Sequence, residues 1–184
     1  MSFAYIVRCN FNDPAREPAW NDWYSGPKIA QMLRKPLFRS CQRFRRVAGQ
    51  GRGYLALWVL ESPEAFKTRE YTSDWGFFEW QPCITDWSRD LFDGGNATET
   101  DFAVPMQGAL EVVSFDGASA EAASAGRDGK PGMIWLPIAG LDRHTPLIGL
   151  RVLNEPNSAA LSADGGAQEA VYRPISAFAQ AEKP

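Results

Sequence analysis

Apolar and polar residues alternate near the start of the chain, and this pattern predicts a β-strand over residues 3–11. The alternation puts Tyr5 and Val7 on one face. Arg8 and Asn10 fall on the opposite face. Because the strand starts apolar and then turns polar on one face, we expect that face to line the interior of a sheet or barrel.

Helical periodicity follows over residues 17–34, where aromatic and then aliphatic residues recur about one turn apart. Gly26-Pro27 interrupts it and predicts a kink or two consecutive helices, since proline cannot donate the helical hydrogen bond. Residues 38–47 and 54–61 are then predicted to be strands, joined by a glycine-rich hairpin loop.

A second helix is predicted to start at Ser62-Pro63-Glu64, where a capping serine precedes proline and an acidic residue. This helix reaches about Trp75, and residues 84–92 form a fourth strand. The order β-α-β-β-α-β is the split βαβ arrangement of ferredoxin-like proteins, so the predicted fold class is α+β.

The composition changes after a polar, turn-rich linker at 93–100. The second half contains many Ala and Gly residues, and its pattern echoes the first half, so a degenerate repeat is predicted with halves 1–97 and 98–184. Its predicted strands are 109–115, 132–139, 146–153 and 170–178, with short helices at 118–125 and 157–163.

A four-stranded sheet with helices on one face must cover its other face. Two arrangements satisfy this need. The two halves of one chain pack on each other, or the first halves of two chains form a homodimer. The repeated pattern favours pairing within the chain, with homodimerisation as a further step.

The stretch NDWYSGPKIAQMLRKPLFRSCQRF at 21–44 resembles the first helix and second strand of dimeric α/β-barrel proteins, including the EthD-like group. The run SPEAF at 62–66 resembles the start of their second helix. The resemblance covers about residues 3–92 and implies a ferredoxin-like α/β-barrel. Proteins of this fold include cofactor-free monooxygenases, lyases and decarboxylases, cyclases and isomerases, haem-using enzymes and some regulatory domains, so the fold does not choose among these activities.

Many of these relatives have a histidine followed by Leu-Pro on the first helix. This sequence has Lys28-Ile29-Ala30 there, and Lys28 holds the aligned position. If that position performs acid–base chemistry, a lysine must perform it here, or the chemistry has moved elsewhere.

Charge and cysteine content narrow the function class. The 19 basic and 22 acidic residues give a net charge of −3, which argues against a nucleic-acid-binding protein. The three cysteines are widely spaced and His144 is the only histidine, so neither a disulfide framework nor a two-histidine metal site is predicted. The N-terminus shows no signal-peptide pattern and no apolar run approaches a membrane span. We therefore expect a cytoplasmic protein without metal or organic cofactor.

Six residues are predicted to bind substrate, because arginines on strands and aromatic side chains together suit an aromatic anion. They are Arg8, Asn10, Arg43, Tyr54, Trp58 and Trp23. The alternative is that the arginines pair with acids of the protein itself, for which Asp22, Asp86 and Asp90 are the candidates.

Three residues are candidates for proton transfer. Lys28 becomes a base if burial lowers its pKa, and Tyr24, four residues earlier, shares its helix face. His144 lies in a predicted hairpin loop and is the only side chain with an ordinary pKa near neutrality.

These features together predict a cofactor-independent lyase that removes a small fragment, such as carbon dioxide or formaldehyde, from a small aromatic or phenolic acid. The reaction is placed in an arginine- and tryptophan-lined barrel cavity. A cofactor-free monooxygenase or isomerase, or a non-enzymatic binding or sensor protein of the same fold, remains an alternative.

Overall fold

The computed structural model describes residues 2–127, 130–155, 161 and 166–182. The described strands are β1 (Phe3–Phe11), β2 (Phe38–Gly49), β3 (Tyr54–Leu60), β4 (Ile84–Asp93), β5 (Ala109–Ser114), β6 (Ile134–Leu141), β7 (Leu147–Leu153), β8 (Gln168–Pro174) and β9 (Ala179–Gln180). The described α-helices are α1 (Glu17–Trp23), α2 (Ile29–Leu33), α3 (Arg69–Thr72) and α4 (Ala120–Gly126). A π-helical segment, Tyr24–Lys28, joins α1 to α2, and 3₁₀ turns lie at Pro63–Lys67, Phe78–Cys83 and Glu99–Phe102.

The eight longer strands form one closed antiparallel barrel, so the fold is α+β as predicted. Their order is β3-β1-β4-β6-β7-β5-β8-β2, and β2 pairs with β3 to close the ring. The short β9 adds to β2 where β8 ends. The barrel therefore closes within a single chain.

Strands β1–β4 and β5–β8 have the same neighbour order. In each set the third strand pairs with the first and the second, and the first strand also pairs with the fourth. The sets meet where β4 pairs with β6 and where β8 pairs with β2, as in Phe92 opposite Ile138 and Tyr172 opposite Arg46. In the second set α4 lies between β5 and β6. The helix predicted at 157–163 falls on residues of which only 161 is described.

The barrel interior is filled with apolar side chains rather than lined with arginine and tryptophan. The inward-facing core contains Ala4, Ile6, Phe44, Leu55, Leu57, Val59, Phe92, Leu110, Val112, Leu136, Ile148, Leu150, Ala170 and Tyr172. Side chains of this volume pack a barrel of eight strands to its axis. The prediction of a substrate cavity inside the barrel is therefore wrong.

A second, more aromatic core lies outside the barrel, between the β1–β4 face and the helical segments. Tyr5 and Val7 of β1 and Trp58 of β3 belong to it. Both faces of β1 and β3 carry apolar side chains. The outer face must therefore be shielded from water, and the helices cover it. Trp20 on α1 is fully buried here.

Two predicted elements differ from the structure. The helix expected over 62–75 is a 3₁₀ turn followed by one α-helical turn, because Thr68 is extended (ψ 148°) and starts a new turn by accepting from the Tyr71 amide. The strand expected at 170–178 ends at Pro174, since proline cannot donate to the ladder. No helix in the described part of the chain is long and apolar enough to cross a membrane.

Candidate functional site

A cavity lies in the aromatic core between the outer face of the barrel and the helices. Its inner volume is about 30 Å³, enough for one or two water molecules. The lining residues are Tyr5, Val7, Tyr24, Lys28, Met32, Trp58, Tyr71, Trp75, Gly76, Phe77, Trp87 and Arg89. Trp75 and Trp87 are 43% and 37% exposed, so the cavity lies close to the surface on their side.

The strands supply one wall of this cavity. Tyr5 of β1 faces Trp58 of β3 in the antiparallel register, and Leu91 of β4 lies on the other side of Tyr5. Trp87 and Arg89 precede Leu91 at alternate positions, so they point to the same outer face. This wall is therefore aromatic at its centre, and the guanidinium group of Arg89 lies at its edge.

The π-helical segment supplies the opposite wall. Pro27 lies within it and has no N–H to donate, and the Ile29 amide donates to the carbonyl of Tyr24, five residues earlier. π-Helical turns inside α-helices are frequent at functional sites. Tyr24 and Lys28 are both buried at the two ends of this turn, and both line the cavity. The expectation that they share a face is met.

Lys28 is the most unusual group of the cavity. It is 5% exposed, and its Nζ has no hydrogen-bond partner among the described residues. Aromatic rings surround the amine instead, with the Phe78 centroid 4.8 Å and the Trp23 centroid 5.9 Å from Nζ. The pKa of Lys28 is lowered to about 8, mainly by burial; Asp74 opposes this shift and Lys35 contributes to it.

Arg89 is the second cation of the cavity. Its guanidinium carbon lies 4.6 Å from the Trp75 ring centroid and 5.4 Å from that of Trp87. Nη2 donates to Asp142 Oδ1 at 3.2 Å, while the buried Nε has no partner among the described residues. A guanidinium held between two rings, with a free donor, is suited to a planar carboxylate.

Phenol groups complete the polar lining. The hydroxyl of Tyr71 is buried and has no partner in the described part of the chain. Burial raises the pKa of Tyr5 well above its ordinary value, and Tyr71 adds to this effect. Burial also raises the pKa of Tyr24. The phenols of Tyr5 and Tyr24 therefore stay protonated and can donate hydrogen bonds.

The charge balance of the cavity is positive. Its described lining includes Lys28 and Arg89 and no carboxylate. A buried cation without a partner costs free energy unless an anion or acceptor binds it. The chemistry of the lining therefore suits an anionic or phenolic group.

Arg43 belongs to the same core but does not line the cavity. Its guanidinium stacks on Tyr24, 4.2 Å from the ring centroid, and donates to Ser25 Oγ and Asn21 Oδ1 at 2.9 Å each. Burial lowers its pKa. Arg43 thus holds α1 and the π-helical segment against β2, and its predicted contact with substrate remains a prediction.

Arg8 and His144 lie at one end of the barrel, away from the cavity lining. Arg8 Nη2 is 2.9 Å from Asp116 and 3.5 Å from the fully buried Asp90. His144 Nε2 lies 2.9 Å from Arg52 Nη2, and the His144 amide donates to Asp90. Of the acids suspected as partners of the arginines, Asp90 is the one that meets Arg8. The structure does not bring Arg8 and His144 together with Lys28.

The remaining predicted residues have structural partners. Asn10 accepts from the Gly53 amide at 2.7 Å and fixes the β2–β3 hairpin. Tyr54 donates to Glu17 Oε1 at 2.6 Å. Trp23 packs beside Lys28 without lining the cavity, whereas Trp58 lines it.

Sequence reasoning missed Arg89 and Tyr71. The signal for Arg89 was present, because the run ITDWSRDLF places an arginine two residues after a tryptophan on one face of a strand. No sequence pattern singled out Tyr71, because its short helix was expected to be part of a longer helix. No group of three His, Cys, Asp or Glu side chains that could hold a metal ion occurs in the described ranges.

Solved structures resemble the chain over almost its whole length. An anthrone oxidase-like protein aligns with a TM-score of 0.57 and 12% identity, over 99% of this chain and 94% of its own. A protein named as a candidate monooxygenase, from Lactobacillus acidophilus NCFM, aligns at 0.51 and 8%, over 99% and 100%. A mutant chlorite dismutase from Candidatus Nitrospira defluvii aligns at 0.54 and 8%, over 94% and 92%.

No protein-family profile matches the chain, and no curated protein matches it. At 8–12% identity the likeness to solved structures shows the fold alone. That fold is the one of the dimeric α/β-barrel proteins.

Proposed function

We propose that this chain is a cofactor-independent enzyme that acts on a small aromatic acid at the cavity between Lys28 and Arg89, which must widen beyond its inner volume of about 30 Å³ to admit the ring. Arg89 binds the carboxylate, the tryptophan and tyrosine rings pack on the aromatic ring, and Lys28 moves the proton. The proposal keeps the substrate class expected from the sequence and moves the site from the barrel interior to its outer face.

One observation carries the proposal. The Nζ of Lys28 is buried in the cavity wall without a partner among the described residues. Such a group costs the fold free energy. Strained or destabilising groups of this kind are typical of functional sites, where substrate supplies the missing partner.

The cavity also favours an enzyme over a binding protein. A binding protein can recognise an aromatic molecule with apolar walls alone. Here a titratable amine, with a pKa of about 8, lies in the same cavity as a fixed guanidinium. A base whose pKa lies near the working pH is effective in proton transfer.

In a lyase reaction Lys28 would act as a proton shuttle. The neutral amine takes the proton of a hydroxymethyl group on the ring, and the carbon–carbon bond to the ring breaks with release of formaldehyde. The electron pair stays on the ring carbon, which then takes the proton back from the Lys28 ammonium. The phenols of Tyr24 and Tyr71 can stabilise the charged intermediate by hydrogen bonds.

An oxygen-dependent reaction is the second candidate, and the neighbours favour it. Two of the similar structures carry the names anthrone oxidase-like and candidate monooxygenase. In that case Lys28 removes a proton from an activated methylene group, and the carbanion reacts with molecular oxygen. One oxygen atom enters the product as a carbonyl and the other leaves as water.

The shared neighbour order of β1–β4 and β5–β8 supports a further part of the proposal. We infer that residues 1–97 and 98–184 are two ferredoxin-like halves, the first of which keeps the resemblance to the EthD-like group. Only the first half contains the cavity. Assembly into a homodimer and a cytoplasmic location remain predictions.

The experiment is an incubation of the protein with a panel of hydroxymethyl-substituted, phenolic and polycyclic aromatic acids, with and without oxygen, followed by mass analysis. We expect a product that is lost in Lys28→Met and kept in the surface control Lys67→Met. Turnover without oxygen supports the lyase, and strict oxygen dependence supports the oxygenase. Equal turnover by Lys28→Met would contradict the proposal.

A further inference from the structure

The environment of Lys28 suits a second kind of chemistry, in which the amine acts as a nucleophile. A lysine amine becomes nucleophilic when it is uncharged, and an apolar environment favours the uncharged form. Lys28 lies in such an apolar environment, because its amine is close to the rings of Phe78 and Trp23 and has no hydrogen-bond partner among the described residues.

A comparison with Lys35 shows that burial alone does not leave a lysine amine without acceptors. Lys35 is 7% exposed, almost as buried as Lys28. Its Nζ, however, donates to the carbonyl of Glu70 and lies 3.7 Å from Asp74 Oδ2. The Lys35 amine therefore has acceptors, whereas Lys28 lines a cavity and its Nζ has no acceptor among the described residues.

We propose that Lys28 forms an imine with an aldehyde or ketone group of an aromatic ligand, a step that deepens the proposed function by naming a carbonyl compound as its substrate class. The Nζ lone pair adds to the carbonyl carbon and forms a carbon–nitrogen bond. The carbonyl oxygen leaves as water with the two amine protons, so no oxidant or reductant takes part.

The cavity contains groups that assist this step. The carbonyl oxygen must be protonated before it leaves as water, and the unpartnered hydroxyl of Tyr71 lines the same cavity. The described lining contains no carboxylate that would hold the amine in its charged form by direct contact. An imine of Lys28, once protonated, would withdraw electrons from a neighbouring bond and so favour its cleavage.

Reductive trapping tests the inference. The full chain is incubated at pH 7 with benzaldehyde or with 4-carboxybenzaldehyde in the presence of cyanoborohydride, which reduces imines and leaves free aldehydes largely unchanged. Peptide mass spectrometry then locates the secondary amine. Lys35 and the exposed Lys67 of the same molecule serve as internal controls.

We expect Lys28 to be modified at least about tenfold faster than Lys67. At pH 7 an amine with a pKa of about 8 is uncharged roughly 200 times more often than one of 10.4, and a lower nucleophilicity offsets part of this advantage. If Arg89 binds carboxylates, 4-carboxybenzaldehyde will react faster than benzaldehyde, and Arg89→Met will remove the difference.

Two outcomes would overturn the inference. One is modification of Lys28 no faster than that of Lys67. The other is an unmodified Lys28 even in Trp75→Ala, a variant that widens the entrance to the cavity.

The proposed function is tested separately. If Lys28→Met abolishes turnover of the panel but no adduct forms, Lys28 acts only in proton transfer. If the adduct forms and no panel member is turned over, the proposed function fails and the imine stands.

Discussion

The Lys28 amine lies 4.8 Å from the centre of the Phe78 ring. Phe78 is 50% exposed and has a positive φ of 49°, an uncommon conformation for a bulky residue. A cation over an aromatic face gains some stabilisation but less than a hydrogen-bonded ion pair in the same position. The fold therefore contains a buried amine, and the aromatic contact offsets only part of the free-energy cost of burying it.

The first prediction concerns the stability cost of this amine. Lys28→Met should raise the free energy of unfolding at pH 7 by about 1–3 kcal/mol, because methionine fills the same space without a charge. Below pH 8 both the folded and the unfolded chain carry the proton, so the native state bears the full cost of the buried ammonium. Between pH 8 and about 10.4 only the unfolded chain keeps it, and the advantage of the variant should disappear.

Chemical denaturation at pH 7 and at pH 10.5 measures both effects. Lys35→Met is the matched control, because Lys35 is equally buried but hydrogen-bonded. That variant should lose about 1–3 kcal/mol of stability, since it leaves the Glu70 carbonyl and the Asp74 carboxylate without their donor. If both variants were destabilised alike, Lys28 would have a partner in solution.

The second prediction concerns the anion site. Arg89→Met should weaken the binding of 4-hydroxybenzoate, measured by calorimetry, by roughly 10–100-fold, since the buried donor for its carboxylate is lost. Asp142→Asn removes the ion pair of Arg89 but keeps the guanidinium, so binding should stay within about threefold of the parent. Unchanged affinity in Arg89→Met would mean that the carboxylate is bound elsewhere.

The third prediction separates the barrel-end arginine from the cavity. Arg8→Met should destabilise the fold by about 3 kcal/mol at pH 7 because it leaves Asp90 buried beside fewer donors. Burial already raises the pKa of Asp90, against the lowering effects of the His144 amide and Arg8. The loss should therefore shrink as the pH falls and Asp90 takes up a proton.

Thermal denaturation from pH 4.5 to 8 checks this behaviour. Arg45→Met is the control, because Arg45 is exposed and lies 3.6 Å from its partner Glu17, so its stability should change by less than about 0.5 kcal/mol. Both variants should bind 4-hydroxybenzoate like the parent. A stable Arg8→Met variant that no longer binds the ligand would show that Arg8 belongs to the ligand-binding site.

Local patterns were enough to predict most of the sheet. Alternation located strands β1 to β4 and the strands of the second half to within a few residues, because each strand has at least one buried face. It also predicted that Tyr24 and Lys28 share a face, as four-residue spacing on a helix requires. Trp58 was placed correctly on an apolar strand.

Long-range partners could not be predicted in this way. The partner of Arg8, Asp116, lies 108 residues later, directly after β5, and only barrel closure brings the two together. The same holds for Arg89 and Asp142, which meet across the β4–β6 pairing. Arg8 was assigned correctly to the inward face of β1, but Arg43 and Trp58 were assigned to the same side and lie instead on the face that the helices cover. Alternation tells which residues of one strand share a face but not how the faces of separate strands match.

The central claim is that the Lys28 amine loses its proton at a lower pH than an exposed lysine does, and that it touches the ligand. Its neighbours define the expected titration. Asp74 raises the pKa and Lys35 lowers it, so Asp74→Asn should shift the pKa of Lys28 further down. An anion bound in the cavity should shift it up, because the opposite charge favours the ammonium form.

The most direct measurement is an NMR titration of lysine side-chain signals, with Lys28→Arg used to assign the resonance, in the absence and presence of saturating 4-hydroxybenzoate. The free protein should show Lys28 titrating with a pKa of about 8, and the ligand should raise that value. A Lys28 amine that titrates near 10.4, as exposed lysines do, and ignores the ligand would contradict the account.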